Sequence, residues 1–89
     1  MIVKIDKSFA KDTGKINNKS FLAKVADCIE EVQRAHAITE IHNIKKLKGN
    51  NRYYRIRIGD YRLGIEIYQT TVEFIRCLPR KDIYKYFPK

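Results

Sequence analysis

Residues 53–67 read YYRIRIGDYRLGIEI, and the reading of this stretch decides the fold. Apolar and polar side chains alternate on either side of Gly59-Asp60, which is the two-residue period of a half-buried strand. Gly59-Asp60 is itself a hairpin signal, because glycine readily takes a positive φ. With those two residues as the loop, Ile58 faces Tyr61, Arg57 faces Arg62, Ile56 faces Leu63 and Arg55 faces Gly64. Tyr54, Ile56, Ile58, Tyr61, Leu63, Ile65 and Ile67 then share one face, and Arg55, Arg57, Arg62, Glu66 and Tyr68 share the other. A slip of one residue would bury the arginines, so the register is strongly specified. It also sets two arginines directly opposite each other, which weakens a sheet unless something anionic lies between them.

Working outward, the strands are expected at Arg52–Ile58 and Tyr61–Gln69, with a third at Val72–Leu78 after a turn at Thr70-Thr71. That third run, VEFIRCL, is apolar on both parities, as in an internal strand covered on both faces. Ile2–Ile5 is a short β-like run. Asp6 or Ser8 then caps a helix from near Phe9 towards Ile16, closed by Gly14 and Asn17-Asn18. Phe21, Leu22, Val25, Cys28, Ile29 and Val32 recur at three- and four-residue steps and predict a helix over Lys19–Ala35. Ile38–Leu47 reads as a connector with a helical turn or two or a short extended piece, ending in the turn signal Lys48-Gly49-Asn50-Asn51. After Pro79 the tail RKDIYKYFPK is a short helical turn or an arm. The expectation is an α+β fold: an N-terminal strand, a two-helix hairpin on one sheet face, then a three-stranded antiparallel meander.

Composition bounds the function. Eighty-nine residues, 44 % hydrophobic, suit one domain over residues 1–89 with a small core and no deep cofactor pocket. Nineteen Lys and Arg against ten Asp and Glu leave a net charge of +9, which favours polyanionic partners. Cys28 and Cys77 lie far apart in apolar patterns without metal-ligand spacing, as buried thiols of a reducing compartment do. The opening MIVKIDKSF resembles neither a signal peptide nor a membrane span, so a cytoplasmic location is expected, with no cofactor and no metal.

The arginine face has two readings. One is a solvated sheet surface partly neutralised by Glu66. The other is an anion site, favoured by forked guanidinium donors that never lose their charge. Gly64, across from Arg55, leaves room for a ligand near the backbone. Lys45, Lys46, Lys48 and Arg52 extend the positive field, while Tyr68, Tyr84 and Tyr86 offer stacking surfaces for unpaired bases. Phosphate is the natural anion.

The segments LKG, YYRIRIGDYRLGIEI and RKDIY, in that order, closely resemble the RelE/ParE superfamily of toxins from toxin–antitoxin pairs, over nearly the whole chain. The pattern of a basic-x-basic strand, then Gly59-Asp60-Tyr61-Arg62, then Arg80 through Tyr84 is similar to the RelE branch. That branch implies a microbial-ribonuclease-like sheet and cleavage of mRNA in the ribosomal A site. It implies catalytic roles for Arg55, Arg57, Arg62, Arg80 and Tyr84, with Lys45, Lys46, Lys48, Arg52 and Lys81 on RNA. It also implies a cognate acidic antitoxin as partner, beside ribosome and mRNA. Two positions depart from the pattern: Pro79 stands where many relatives have histidine, and Arg55 where a lysine often serves as base.

The chemistry so implied is attack of the RNA's own 2′-hydroxyl on the adjacent phosphate, giving a 2′,3′-cyclic phosphate and a 5′-hydroxyl without a metal. Arg57, Arg62 and Arg80 suit the charge role, Arg62 foremost at the scissile phosphate. A guanidinium with a pKa above about 12 is a poor base, which leaves Lys81, Glu66 and Tyr84 as candidates for proton transfer. Tyr84 alternatively stacks on a base or packs at the sheet edge. Surface or packing roles fall to His36 and His42. Two other functions remain: a gyrase inhibitor like the ParE branch, which usually lacks this Arg/Tyr set, and a basic RNA- or partner-binding domain without catalysis.

Overall fold

In the computed structural model, which describes residues 1–49 and 51–88, nine elements follow the chain. They are β1 (Ile2–Ile5), α1 (Lys7–Gly14), α2 (Lys19–Arg34), a 3-10 turn at Ile38–Glu40, β2 (Ile44–Lys46), β3 (Tyr53–Ile58), β4 (Tyr61–Tyr68), β5 (Thr71–Pro79) and α3 (Arg80–Tyr86). The strands form one mixed sheet in the order β1-β5-β4-β3-β2, parallel only between β1 and β5. The α+β class and the β3–β4–β5 meander are as read from the sequence. Two details differ. The connector's extended piece is β2, which pairs antiparallel with β3 and becomes a further strand at the sheet edge. The tail takes the helical form of its two expected ones, and that helix packs on the face opposite α2. Asn50, in the anticipated turn, and Lys89, at the tail, lie outside the described residues.

The hairpin has the expected register at every position from Tyr53↔Glu66 to Ile58↔Tyr61. Gly59 alone takes a positive φ, +56°, at the first loop position, which is the type II′ arrangement that matches strand twist. Caps set the helix starts: Asp6 accepts from the Ser8 N–H at 3.0 Å and Asn18 from the Phe21 N–H at 3.0 Å.

One face of the sheet buries the main core. Ile56, Leu63, Ile65, Ile67, Val72 and Phe74 meet Phe9 of α1 and Val25, Cys28 and Val32 of α2. The Phe9 and Phe74 rings pack edge to face at 5.4 Å. The other face carries a second, smaller core of Leu47, Ile83 and Phe87, with Tyr53, Ile75 and Leu78 against it. A bulge makes both possible. Pairing jumps from Gly64↔Arg76 to Ile65↔Phe74, so Ile75 is the extra residue, and Phe74 and Cys77 both reach the main core although three apart.

α1 also closes the β5 edge beyond the end of β1. Its Ser8 hydroxyl donates to the Ile75 carbonyl at 2.5 Å, and the Asp12 carboxylate accepts the Cys77 N–H at 3.0 Å. The same carboxylate takes Arg76 Nε at 2.8 Å and Nη2 at 3.2 Å. Two side chains thereby satisfy strand groups that would otherwise be left bare.

Candidate functional site

The strand register stacks the far face in rows. One row pairs Arg57 with Arg62 and Arg62 with Leu78; the next runs Lys45, Arg55, Gly64, Arg76. β2 thus carries the positive ridge one strand further than the hairpin does. α3 crosses this face from the hairpin loop, where the Arg80 N–H donates to the Asp60 carbonyl at 2.7 Å. Pro79 occupies the helix N-cap and makes no side-chain cap.

Each basic side chain has its own circumstances. Arg62 is 8 % exposed, and its Nη1 donates to the carbonyls of Gly59 and Tyr61, both at 3.0 Å. It therefore ties down the hairpin loop while holding its charge beneath the surface. Arg55 donates from Nη1 to the Asn43 carbonyl at 2.9 Å, and its buried Nε has no partner among the described residues. Arg57 and Arg80 are exposed. No ion pair to a carboxylate involves any of these four among the described residues.

Burial pushes the Arg62 guanidinium below its ordinary pKa, helped by Arg55, Arg57 and Arg80, whereas Tyr84 pulls the other way. All five side chains expected at a catalytic centre are therefore near enough to act on one charge. Arg57 and Arg62, paired across the hairpin, are thus two like charges that no carboxylate neutralises among the described residues.

The wider basic set divides. Lys45, Lys46 and Lys48 line a groove of ≈ 360 Å³ with Tyr84 and Phe87. Tyr84 is 60 % exposed and stands one turn after Arg80, on the same side of α3. Lys81, next to Arg80, is exposed. Arg52 does not join them. It pairs with Glu66 at 2.7 Å and lies 5.7 Å from the Tyr68 ring centroid, at the other end of the hairpin from Gly59-Asp60. Glu66 thereby pairs with Arg52 and not with the arginine cluster, and Arg52 lies over one face of the Tyr68 ring.

Gly64 needs a second correction. The room beside it is filled by Phe87, whose Cδ2 would lie 2.6 Å from a Cβ at this position. The glycine admits an aromatic ring of this chain, not a ligand. Sequence reasoning also missed Asn43, whose carbonyl serves both the Arg55 side chain and the Arg57 N–H. The connector's ambiguous period hid it. Among the described residues no group of three or more His, Cys, Asp and Glu could hold a metal ion, and no helix is long and apolar enough to cross a membrane.

Comparison with known proteins identifies the family and the fold. Residues 3–84 match the family model of the ParE toxin of the type II toxin–antitoxin system parDE. Toxin RelE3 of Methanocaldococcus jannaschii is 42 % identical over 89 residues, covering 99 % of this chain and all of the relative. The fold is similar to the toxin in the crystal structure of the RelB–RelE antitoxin–toxin complex from Methanococcus jannaschii. There the TM-score is 0.81 at 40 % identity, over 96 % of this chain and 99 % of that one. The archaeal RelE–RelB complex from Pyrococcus horikoshii gives a TM-score of 0.73 at 23 % identity, over 89 % and 93 % of the two chains, a likeness of fold. By its match over residues 3–84 and its 42 % identity to a RelE toxin along the whole relative, the chain belongs to the RelE/ParE family of type II toxin–antitoxin toxins.

Proposed function

We propose that the chain is a metal-independent endoribonuclease toxin that cuts mRNA in the ribosomal A site. The observation that carries this reading is the buried Arg62 among Arg55, Arg57, Arg80 and Tyr84, a cationic cluster without an ion-paired carboxylate. Cleavage forms a bond from the 2′-oxygen to phosphorus and breaks the bond from phosphorus to the 5′-oxygen. The products are a 2′,3′-cyclic phosphate and a 5′-hydroxyl. Charge grows on the phosphoryl oxygens as the transition state forms, and fixed guanidinium donors stabilise it without having to reorganise.

Arg57 and Arg80 reach the phosphate from solvent, and Arg62 supplies a field from below. One of the two α3 groups Lys81 and Tyr84, three residues apart, takes up the 2′-hydroxyl proton, and the other gives a proton to the leaving 5′-oxygen. Glu66 is withdrawn from this role by its pairing with Arg52. The lysine groove beside Tyr84 holds the flanking strand, with a base stacked on the tyrosine. A cognate acidic antitoxin covers this face and silences it, in keeping with the RelB–RelE complexes of its relatives.

The test is induced expression in a bacterial host, with primer-extension mapping of an abundant message for the wild type and Arg57→Ala. Cuts within translated codons that vanish in the variant are expected. Growth arrest without such cuts overturns the ribonuclease reading. The ParE family match favours one other reading, a gyrase inhibitor. Loss of DNA supercoiling activity on adding the purified toxin to gyrase, with intact messages, would establish it.

A further inference from the structure

A groove of ≈ 510 Å³ lies at the opposite margin of β3, between that strand and α2. This volume suits a single nucleobase with room to spare. Cys28 and Ile56, both buried, give it an apolar floor, and Ile58 borders it. Along its α2 side stand Lys24, Asp27 and Glu31, and across from them His42. Arg57 lines the groove and also belongs to the arginine cluster, so the two sites share a residue.

The groove's acids are not equivalent. Glu31 is engaged: its Oε2 takes the His42 N–H at 3.3 Å and contacts His42 Nδ1. That contact fixes the imidazole as a flat wall of the kind on which bases stack. Asp27, one turn earlier on the same helix face, makes no hydrogen bond or ion pair among the described residues. Asn43, at φ +61°, binds the His42 segment to the arginine strand through its carbonyl.

An anionic group is unsuited to the wall that bears Asp27 and Glu31, which leaves a phosphate to Arg57. A neutral ring with donors and acceptors suits that wall. A carboxylate accepts two parallel N–H donors best, as in its pairing with arginine. Among RNA bases guanine alone offers that fork, through N1–H and N2–H, with the O6 acceptor alongside for an ammonium. We propose that this groove is a guanine subsite, in which Asp27 accepts N1–H and N2–H, Lys24 donates to O6, and Arg57 holds the adjoining phosphate.

The subsite rests on the ribonuclease reading only for the polymer that delivers the base. Titration of the purified protein with GMP, AMP, CMP and UMP, followed by amide chemical shifts, tests it directly. GMP is expected to bind about tenfold tighter than the other three, as one bidentate base contact allows. Shifts should centre on α2 and His42. Asp27→Asn should abolish that preference with an unchanged thermal midpoint, since Asp27 is exposed. Four nucleotides binding alike, or a preference that survives Asp27→Asn, overturns the subsite. Mapped messages separate the two claims. A GMP preference in a protein that cuts no RNA leaves the subsite and removes the ribonuclease; cuts without neighbouring guanine, together with no GMP preference, do the reverse.

Discussion

Arg57 and Arg62 face each other across one rung of the hairpin yet differ in what their loss would do. Arg57 is exposed and makes no side-chain hydrogen bond among the described residues, so Arg57→Ala should abolish RNA cutting with a thermal midpoint equal to wild type. Arg62 holds two loop carbonyls from a buried position. Arg62→Ala should also abolish cutting, and should lower stability by about 1 kcal/mol in urea unfolding. Two lost hydrogen bonds are partly offset there by the relief of like charge. Equal stability of the two variants would contradict the loop-holding role. Gly64 makes a sharper case, because a Cβ there meets the Phe87 ring at 2.6 Å. Gly64→Ala should cost about 1–3 kcal/mol by overpacking. In a Phe87→Ala background the same change should cost less than about 0.5 kcal/mol, a coupling that a double-mutant cycle reads directly.

At the scale of elements, one carboxylate supplies most of the polar hold of α1 on β5, beside the Ser8 hydroxyl. Asp12, with a side chain only 9 % exposed, accepts from Arg76 and from the Cys77 N–H. Asp12→Ala would strand a guanidinium and a strand N–H together, at an expected cost of about 3 kcal/mol in chemical denaturation. Asp12→Asn, which keeps an acceptor, should lose less. This clamp was not legible in the sequence, since nothing local links residue 12 to residue 76. The hairpin was legible because its register follows from a two-residue loop and a period of two. β2 stayed one of two alternatives, for a physical reason. Ile38, Ile41, Ile44 and Leu47 keep a three-residue spacing that mimics a helix, but Ile38–Glu40 is a 3-10 turn, whose own period is three. Ile44, which opens β2, and Leu47, just past its end, then turn to opposite faces of the sheet, one towards each core. α3 was left as a helical turn or an arm for lack of signal, since among the described residues Ile83 is its one buried side chain, with Phe87 just past its end. The five catalytic candidates were found by motif. Their convergence on Arg62 depends on α3, which the sequence left open.

The whole molecule separates its chemistry from its core. Both thiols are sealed in: burial, with Glu31 nearby, raises Cys28 to about 11, and burial, with Asp12 nearby, raises Cys77 to about 12. Neither should react with a thiol reagent at pH 8 in the folded protein, and both should react in urea. Because folding raises these values, their contribution to stability is complete below about pH 9 and fades as the pH climbs towards the folded values. The surface carries the opposite character, a net charge of +9, with Arg55, Arg57, Arg62 and Arg80 free of ion pairs among the described residues. If Arg55, Arg57, Arg62 and Arg80 each neutralise one phosphate, log K for single-stranded RNA should fall against log salt with a slope of about −3. Arg57→Ala should flatten that slope by about 0.7, because one counterion-releasing contact is gone. Arg52→Ala should leave it nearly unchanged, since that guanidinium already pairs with Glu66. Filter-binding titrations across a range of salt would measure all three. A slope equally sensitive to Arg52 and Arg57 would mean that RNA responds to overall charge and not to the arginine rows.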